Sequence, residues 1–268
     1  MVKKLIKHEF TYYIRFYILM LPILLSIGLF TRFLRIFQSD HVSYIIVFVS
    51  SMGMLYFASF ACIILTFILV IIRYYKNMFS SEGYLTLPLP VTDHQHLFVK
   101  ILVSMCCYIV TFITIGITWL IVGTGFPNAL NEIKDMFTLL FSEINSVHFV
   151  FYIIEIIILL LISLIYSILL SYTCITIGQT AKKNRILLAV GAYFGYHMIT
   201  QVLSTIIMVA LTVLGLANAL NFIGRFIVNY PYLAVHIGFF IAIIIYVGIG
   251  VLFYYLIMKI LNNKLNLE

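Results

Sequence analysis

Few side chains in this sequence are equipped for chemistry, and their spacing is as informative as their identity. Glu155 is the one acidic residue set inside a long apolar run, FVFYIIEIIILLL. A carboxyl there is costly unless it faces a cavity, pairs with a cation or reaches back to the headgroups. His197 and Gln201 stand four apart in HMITQ and so share one face of a helix. That face either lines a translocation path or closes a hydrogen bond between helices. Ser163, Ser167, Ser171 and His197 supply the groups of a nucleophile and its base, but no spacing gathers them, and Ser in apolar helices usually packs or bonds to a neighbouring helix. There is no His-Glu-x-x-His pair and no acidic pair within the apolar runs. The phosphate-cradling Gly-x-x-x-x-Gly-Lys-Ser/Thr loop is missing too, since Gly178-Gln179-Thr180-Ala181-Lys182 has the wrong spacing. The expectation is a chain that is not itself an enzyme, holds no metal or cofactor, and draws energy from a partner or an ion gradient.

The elements that must position these residues are apolar helices. Hydrophobic residues make up 64% of the 268-residue chain, against roughly 45–50% in soluble domains. A helix needs about 20 apolar residues to cross a bilayer. Six stretches satisfy that length, at about 16–36, 44–72, 97–122, 149–178, 186–214 and 232–258. The predicted fold is all-α and integral to the membrane, a single polytopic domain over residues 1–268. Gly191 and Gly195 form a Gly-x-x-x-Gly pair on the fifth stretch, which lets helices approach closely. The pair suits a seam between two copies or packing within one chain. Cys62, Cys106, Cys107 and Cys174 all fall within spans and lack zinc-ligand spacing, so they read as small packing residues.

Charge sets the orientation. With six spans, one side carries Lys3, Lys4, Lys7, Arg15, Arg73, Lys76, Lys100, Lys182, Lys183, Arg185, Lys259 and Lys264. The other carries Arg32, Arg35, Lys134 and Arg225, completing the 16 Lys and Arg residues. The positive-inside rule then puts both termini in the cytoplasm. The formal charge of +7 therefore reflects topology and anionic lipid, not nucleic-acid binding. Leu5, Ile6, Phe10, Tyr13, Ile14 and Tyr17 recur near helical spacing among Lys3, Lys4 and Lys7, which suits either an amphipathic helix lying in the headgroup region or an ordinary positive flank of the first span.

The same orientation places the most polar internal segment, RYYKNMFSSEGYLTLPLPVTDHQHLFVK from Arg73 to Lys100, on the cytoplasmic side. Only 9% of the chain is charged, yet Arg73, Lys76, Glu82, Asp93 and Lys100 gather here. Arg73–Phe79 can extend the second span, and Gly83 favours a helix end. Pro88 and Pro90 force Leu87 and Leu89 toward extended backbone. Thr92 and Gln95 have capping-box spacing and start the next helix. The shape is a stiff elbow displaying Glu82, Tyr84 and Leu85. It suits either a groove in a soluble partner or a loop resting on lipid headgroups.

The run Phe79-Ser80-Ser81-Glu82-Gly83-Tyr84-Leu85-Thr86-Leu87-Pro88-Leu89-Pro90-Val91-Thr92, followed by Lys100-Ile101-Leu102, resembles the first cytoplasmic loop of ABC-2-type transporter permeases of Gram-positive bacteria. The six-span layout resembles the same family. The resemblance implies a coupling elbow in which Glu82, Gly83, Tyr84, Leu85, Leu87 and Pro88 dock on a separate ATPase subunit. It also implies ATP and Mg on that partner, two ATPase copies, a second permease chain (identical or homologous), and an amphipathic connecting helix at the N-terminus. The setting would be the bacterial plasma membrane and the function export of an amphiphile such as a peptide, lipid or drug. The compact connection from Leu216 to Pro231 departs from members with a large outer domain. Two other readings compete. An ion-coupled secondary transporter would use Glu155, His197 and Gln201 as path residues. An intramembrane hydrolase would need Ser and His brought together.

Overall fold

A computed structural model describes residues 2–37, 39–80, 92–123, 134–135, 138, 146–181, 183–213 and 224–264. Six long helices dominate these residues: α1 (Val2–Ile36), α2 (Val42–Phe79), α3 (Asp93–Gly123), α4 (Ser146–Gly178), α5 (Arg185–Val213) and α6 (Pro231–Lys264). No strand occurs among the described residues. All six are long and apolar enough to cross a membrane, which marks a multi-pass membrane protein. Helices suit this composition because they satisfy every backbone donor and acceptor internally, where lipid offers none.

The helices extend past the apolar runs that announced them. α2 has 38 residues and is about 57 Å long at 1.5 Å per residue, well beyond a hydrocarbon core of about 30 Å. The largest difference from expectation is at the N-terminus. The separate interfacial helix is not there: Val2–Ile36 is one helix of 35 residues with Pro22 inside it. The reason is burial. Glu9, Tyr13 and Tyr17 all lie in the core, so this stretch packs against protein on one face and cannot lie flat on headgroups by itself.

The helices form two compact units, residues 1–144 and 145–268. In the first, α1 packs on both α2 and α3, which also touch each other. The buried positions of α2 include Ser51, Leu55, Ser59, Cys62, Thr66, Val70, Arg73 and Asn77. Those of α3 include His96, Lys100, Ser104, Cys107, Thr111, Thr118 and Val122. Steps of three and four residues are those of one helix face packed along a neighbour. The seam is small and hydroxyl-rich, as membrane helix contacts tend to be. Its apolar centre is Leu24, Leu55, Cys62 and Val122, with Met20, Ile27 and Trp119 against them.

In the second unit α4 is the middle helix, packed on both α5 and α6. Its core draws on Ile168, Leu169, Leu170 and Tyr172 of α4 and on Phe253, Ile257, Met258 and Leu261 of α6. The turn from α4 to α5 is tight. A Cβ on Gly178 would lie 2.7 Å from both the Ala189 Cβ and the Arg185 carbonyl oxygen, and Asn184 takes φ 57° just before α5 begins. Asn is among the few residues that visit this left-handed region readily. Pro231 opens α6, where its missing N–H costs no helical bond.

Gly28 supplies a sharp test of the first unit. A Cβ built there would overlap Thr118 Cγ2, and Thr118 is fully buried with its hydroxyl donating to the Thr114 carbonyl at 2.8 Å. Gly28→Ala should therefore cost about 1–3 kcal/mol, the usual range for overpacking. Thermal unfolding in detergent reads this as a lowered midpoint. Adding Thr118→Ser, which deletes the offending methyl, should restore most of the loss.

Candidate functional site

The chemistry of the first unit concentrates where α2 ends and α3 begins. α2 stops at Phe79 and Ser80 is extended, at φ −107° and ψ −173°. α3 restarts with the expected capping box. The Thr92 N–H donates to Gln95 Oε1 and the Gln95 N–H to Thr92 Oγ1, each at 3.4 Å. The Thr92 carbonyl also accepts from the N–H groups of Gln95 at 2.9 Å and His96 at 3.1 Å. The proposed docking residues Glu82, Gly83, Tyr84, Leu85, Leu87 and Pro88 lie outside the described residues. The two helix ends that hold them are described, and these ends carry the site.

Just inside them sits Glu9 of α1, buried with 2% of its surface exposed. Its Oε2 accepts from Arg73 Nε of α2 at 2.8 Å. Its Oε1 accepts from Lys100 Nζ of α3 at 3.1 Å and from Asn77 Nδ2 of α2, also at 3.1 Å. Arg73 and Lys100 are as buried as Glu9. Arg73 also lies over the Tyr12 ring, 4.4 Å from its centroid, and reaches His8 Nδ1 at 3.4 Å. One carboxylate thus joins three helices through three partners, two on α2 and one on α3. Glu9 precedes the apolar run that starts at Phe16. Burial alone would push its carboxyl up. The Lys100 ammonium and the Arg73 guanidinium more than offset that and hold it below the ordinary carboxylate range.

Polar contacts continue from this node along α1. The Tyr17 hydroxyl meets Thr111 Oγ1 at 3.0 Å and Thr66 Oγ1 at 3.3 Å, and donates to the Cys107 carbonyl at 3.1 Å. Further along, Trp119 Nε1 donates to Ser59 Oγ at 3.3 Å. At the far end Arg35 Nη1 donates to the carbonyls of Val122, at 2.9 Å, and Gly123. A cation there suits the exposed carbonyls at the end of α3.

The sequence-predicted residues of the second unit separate into two places. Glu155 of α4 meets His236 of α6, whose Nδ1 lies 2.8 and 2.9 Å from its two oxygens. His236 Nε2 in turn faces His148 Nδ1 at 3.3 Å, and His148 stacks on Tyr232 with centroids 4.9 Å apart. Glu155 is thus paired with a histidine of α6. His197 and Gln201 are both exposed on α5. His197 touches Tyr193 and Tyr196, with ring centroids 4.7 and 5.6 Å apart. Gly191 and Gly195 lie on the same helix, and a Cβ at either would meet nothing within 4 Å. The structure therefore brings Glu155 to His236 and His148, and leaves His197, Gln201, Gly191 and Gly195 together on an open stretch of α5. The four cysteines are free thiols. Among the described residues no group of three or more His, Cys, Asp or Glu is arranged to hold a metal ion.

Sequence reasoning missed Glu9. The available signal was a single acidic residue, at the spacing of Tyr13 and Tyr17, within an otherwise basic N-terminal stretch. Truncating it should be severe. Glu9→Ala strands two buried cations and should cost about 3–5 kcal/mol, as broken buried ion pairs do, seen as a large drop in the unfolding midpoint. The carboxyl's depressed value also fixes a pH dependence. The node's contribution is fully present above the ordinary carboxylate range and is lost as pH falls through the lower folded value. Midpoints measured across the acid range should show that loss in the native chain and not in Glu9→Gln. No family model matches the chain, and no curated protein or solved structure matches it either, so its function is read from these residues.

Proposed function

We propose that this chain is the membrane permease subunit of an ATP-driven exporter of the ABC-2 type, set in the plasma membrane of a bacterial cell. The turn between α2 and α3 is its docking element for a separate ATPase subunit. One observation carries the reading: both helices flanking that turn are anchored, just inside it, to a single buried carboxylate. Helix ends anchored in this way can pass on a displacement of the segment that joins them. The helical extension of α2 through Phe79 and the capped restart at Asp93 add stiffness. The 12-to-4 distribution of Lys and Arg favours a cytoplasmic position for both termini and for this turn.

In this mechanism two ATPase subunits close on ATP and pull their docked turns together. Two permease chains, identical or homologous, follow that closure and alternate access for an amphiphilic cargo. Glu82, Gly83, Tyr84, Leu85, Leu87 and Pro88 form the docking surface. An ATPase should co-purify with the tagged chain from its native membrane. Glu82→Ala, or replacement of Gly83–Leu85, should abolish that association while the chain still inserts in the membrane with unchanged yield. Retained association in those variants would sink the docking role.

The Glu155–His236–His148 contact favours a second reading, an ion-coupled transporter, because ionisable groups at membrane depth mark ion paths. The two separate cleanly in vesicles. Export driven by ATP with the proton gradient collapsed supports the first, and export driven by a gradient without ATP supports the second.

A further inference from the structure

We infer that Glu9 is a positioning residue through which movement of the docking turn is delivered to α1. This rests on the reading of that turn as the ATPase contact. The argument is one of connectivity. Arg73 and Asn77 stand in the last two turns of α2, and Lys100 is the eighth residue of α3. All three bond the same carboxylate, and that carboxylate belongs to neither helix. Any displacement of the turn moves these donors, and Glu9 must follow or leave charges unpaired in a buried site. α1 is continuous from Glu9 to Ile36, about 40 Å at 1.5 Å per residue. With Pro22 inside it, it links a driven end at Glu9 to a far end that carries Arg35 on the α3 carbonyls.

Energetics separates this role from one of stability alone. Buried ion pairs are poor stabilisers, and apolar replacements of similar volume are often neutral or better. A site kept only for stability has no need of charge here. Side-chain direction adds to the case. The Arg73 guanidinium is also fixed by the Tyr12 ring and by His8, both on α1, so the grip on α1 is doubled at the α2 foot.

The test uses the complex of the full chain with its co-purifying ATPase. A cysteine is placed at the far end of α1 by Phe37→Cys, where the native side chain is 59% exposed. Its labelling by a membrane-impermeant maleimide is compared between the nucleotide-free and vanadate-trapped complexes, with the chain lacking Phe37→Cys as background. The native node should give different labelling rates in the two states. Two variants then ask whether charge at the node is needed: Glu9→Gln, which keeps the shape, and the combined Glu9→Met, Arg73→Met and Lys100→Met, which keeps a packed core. The state-dependent difference should be lost in both, while ATPase stoichiometry is kept, and the combined variant should also retain the unfolding midpoint. A difference that persists in either folded variant overturns the inference, as does a native complex whose labelling at Phe37→Cys ignores nucleotide. Failure of any ATPase to co-purify with the native chain would bring down the docking reading itself, and this inference with it.

Discussion

The first unit depends on one carboxylate held between two cations. A charge taken out of water must find partners or revert to its neutral form, and Glu9 finds Arg73, Asn77 and Lys100. That requirement fixes the rotation of three helices at once, because only one face of each can present its group to the node. It also fixes their longitudinal register, which hydroxyl-rich seams leave loose. The apolar contacts of Leu24, Leu55, Cys62 and Val122 then fill the space that the node has set. Hydrophobicity puts these helices in the membrane, but lipid is as apolar as leucine, so it gives them little reason to choose one another. The ion cluster and the Tyr17 hydroxyl supply that choice.

The second unit has an analogous polar contact with a different character. Glu155, His236 and His148 join α4 to α6 toward one end, and a tyrosine cluster of Tyr166, Tyr196 and Tyr246 joins the helices deeper in. α5 is tied to α4 through the tight turn at Gly178 and Asn184, and presents its outer face, including His197 and Gln201, as open surface. Each unit thus combines a polar contact that sets register with an apolar core that supplies bulk.

The six helices were legible because each apolar run is long enough to be read without its neighbours. Their ends were less so. A hydropathy run marks where lipid begins and ends, while a helix continues as long as its backbone bonds do; Arg73–Phe79 was legible as an extension of α2, but the run of α1 back to Val2 was not. The Thr92–Gln95 cap was legible because its partners are three residues apart. Glu9 was not, because its partners lie 64 and 91 residues away, and no local periodicity encodes such a pairing. The same limit hid His236 as the partner of Glu155. Small-residue spacing at Gly191 and Gly195 licenses close approach without naming a neighbour, and the described residues put none there.

The hydroxyls lining the first unit's seam carry one further consequence. Thr31, Ser51, Ser59, Thr66, Thr111 and Thr118 each donate to a carbonyl three or four residues back on their own helix. Each donor is therefore satisfied within its own helix and stays so when a neighbouring helix shifts. A seam built this way behaves like a greased bearing between detents. Sliding strands none of these donors, and only the few bonds that bridge helices must break and re-form. Such a bundle is pinned at its anchor points and leaves the seam between them free of bonds that would resist sliding.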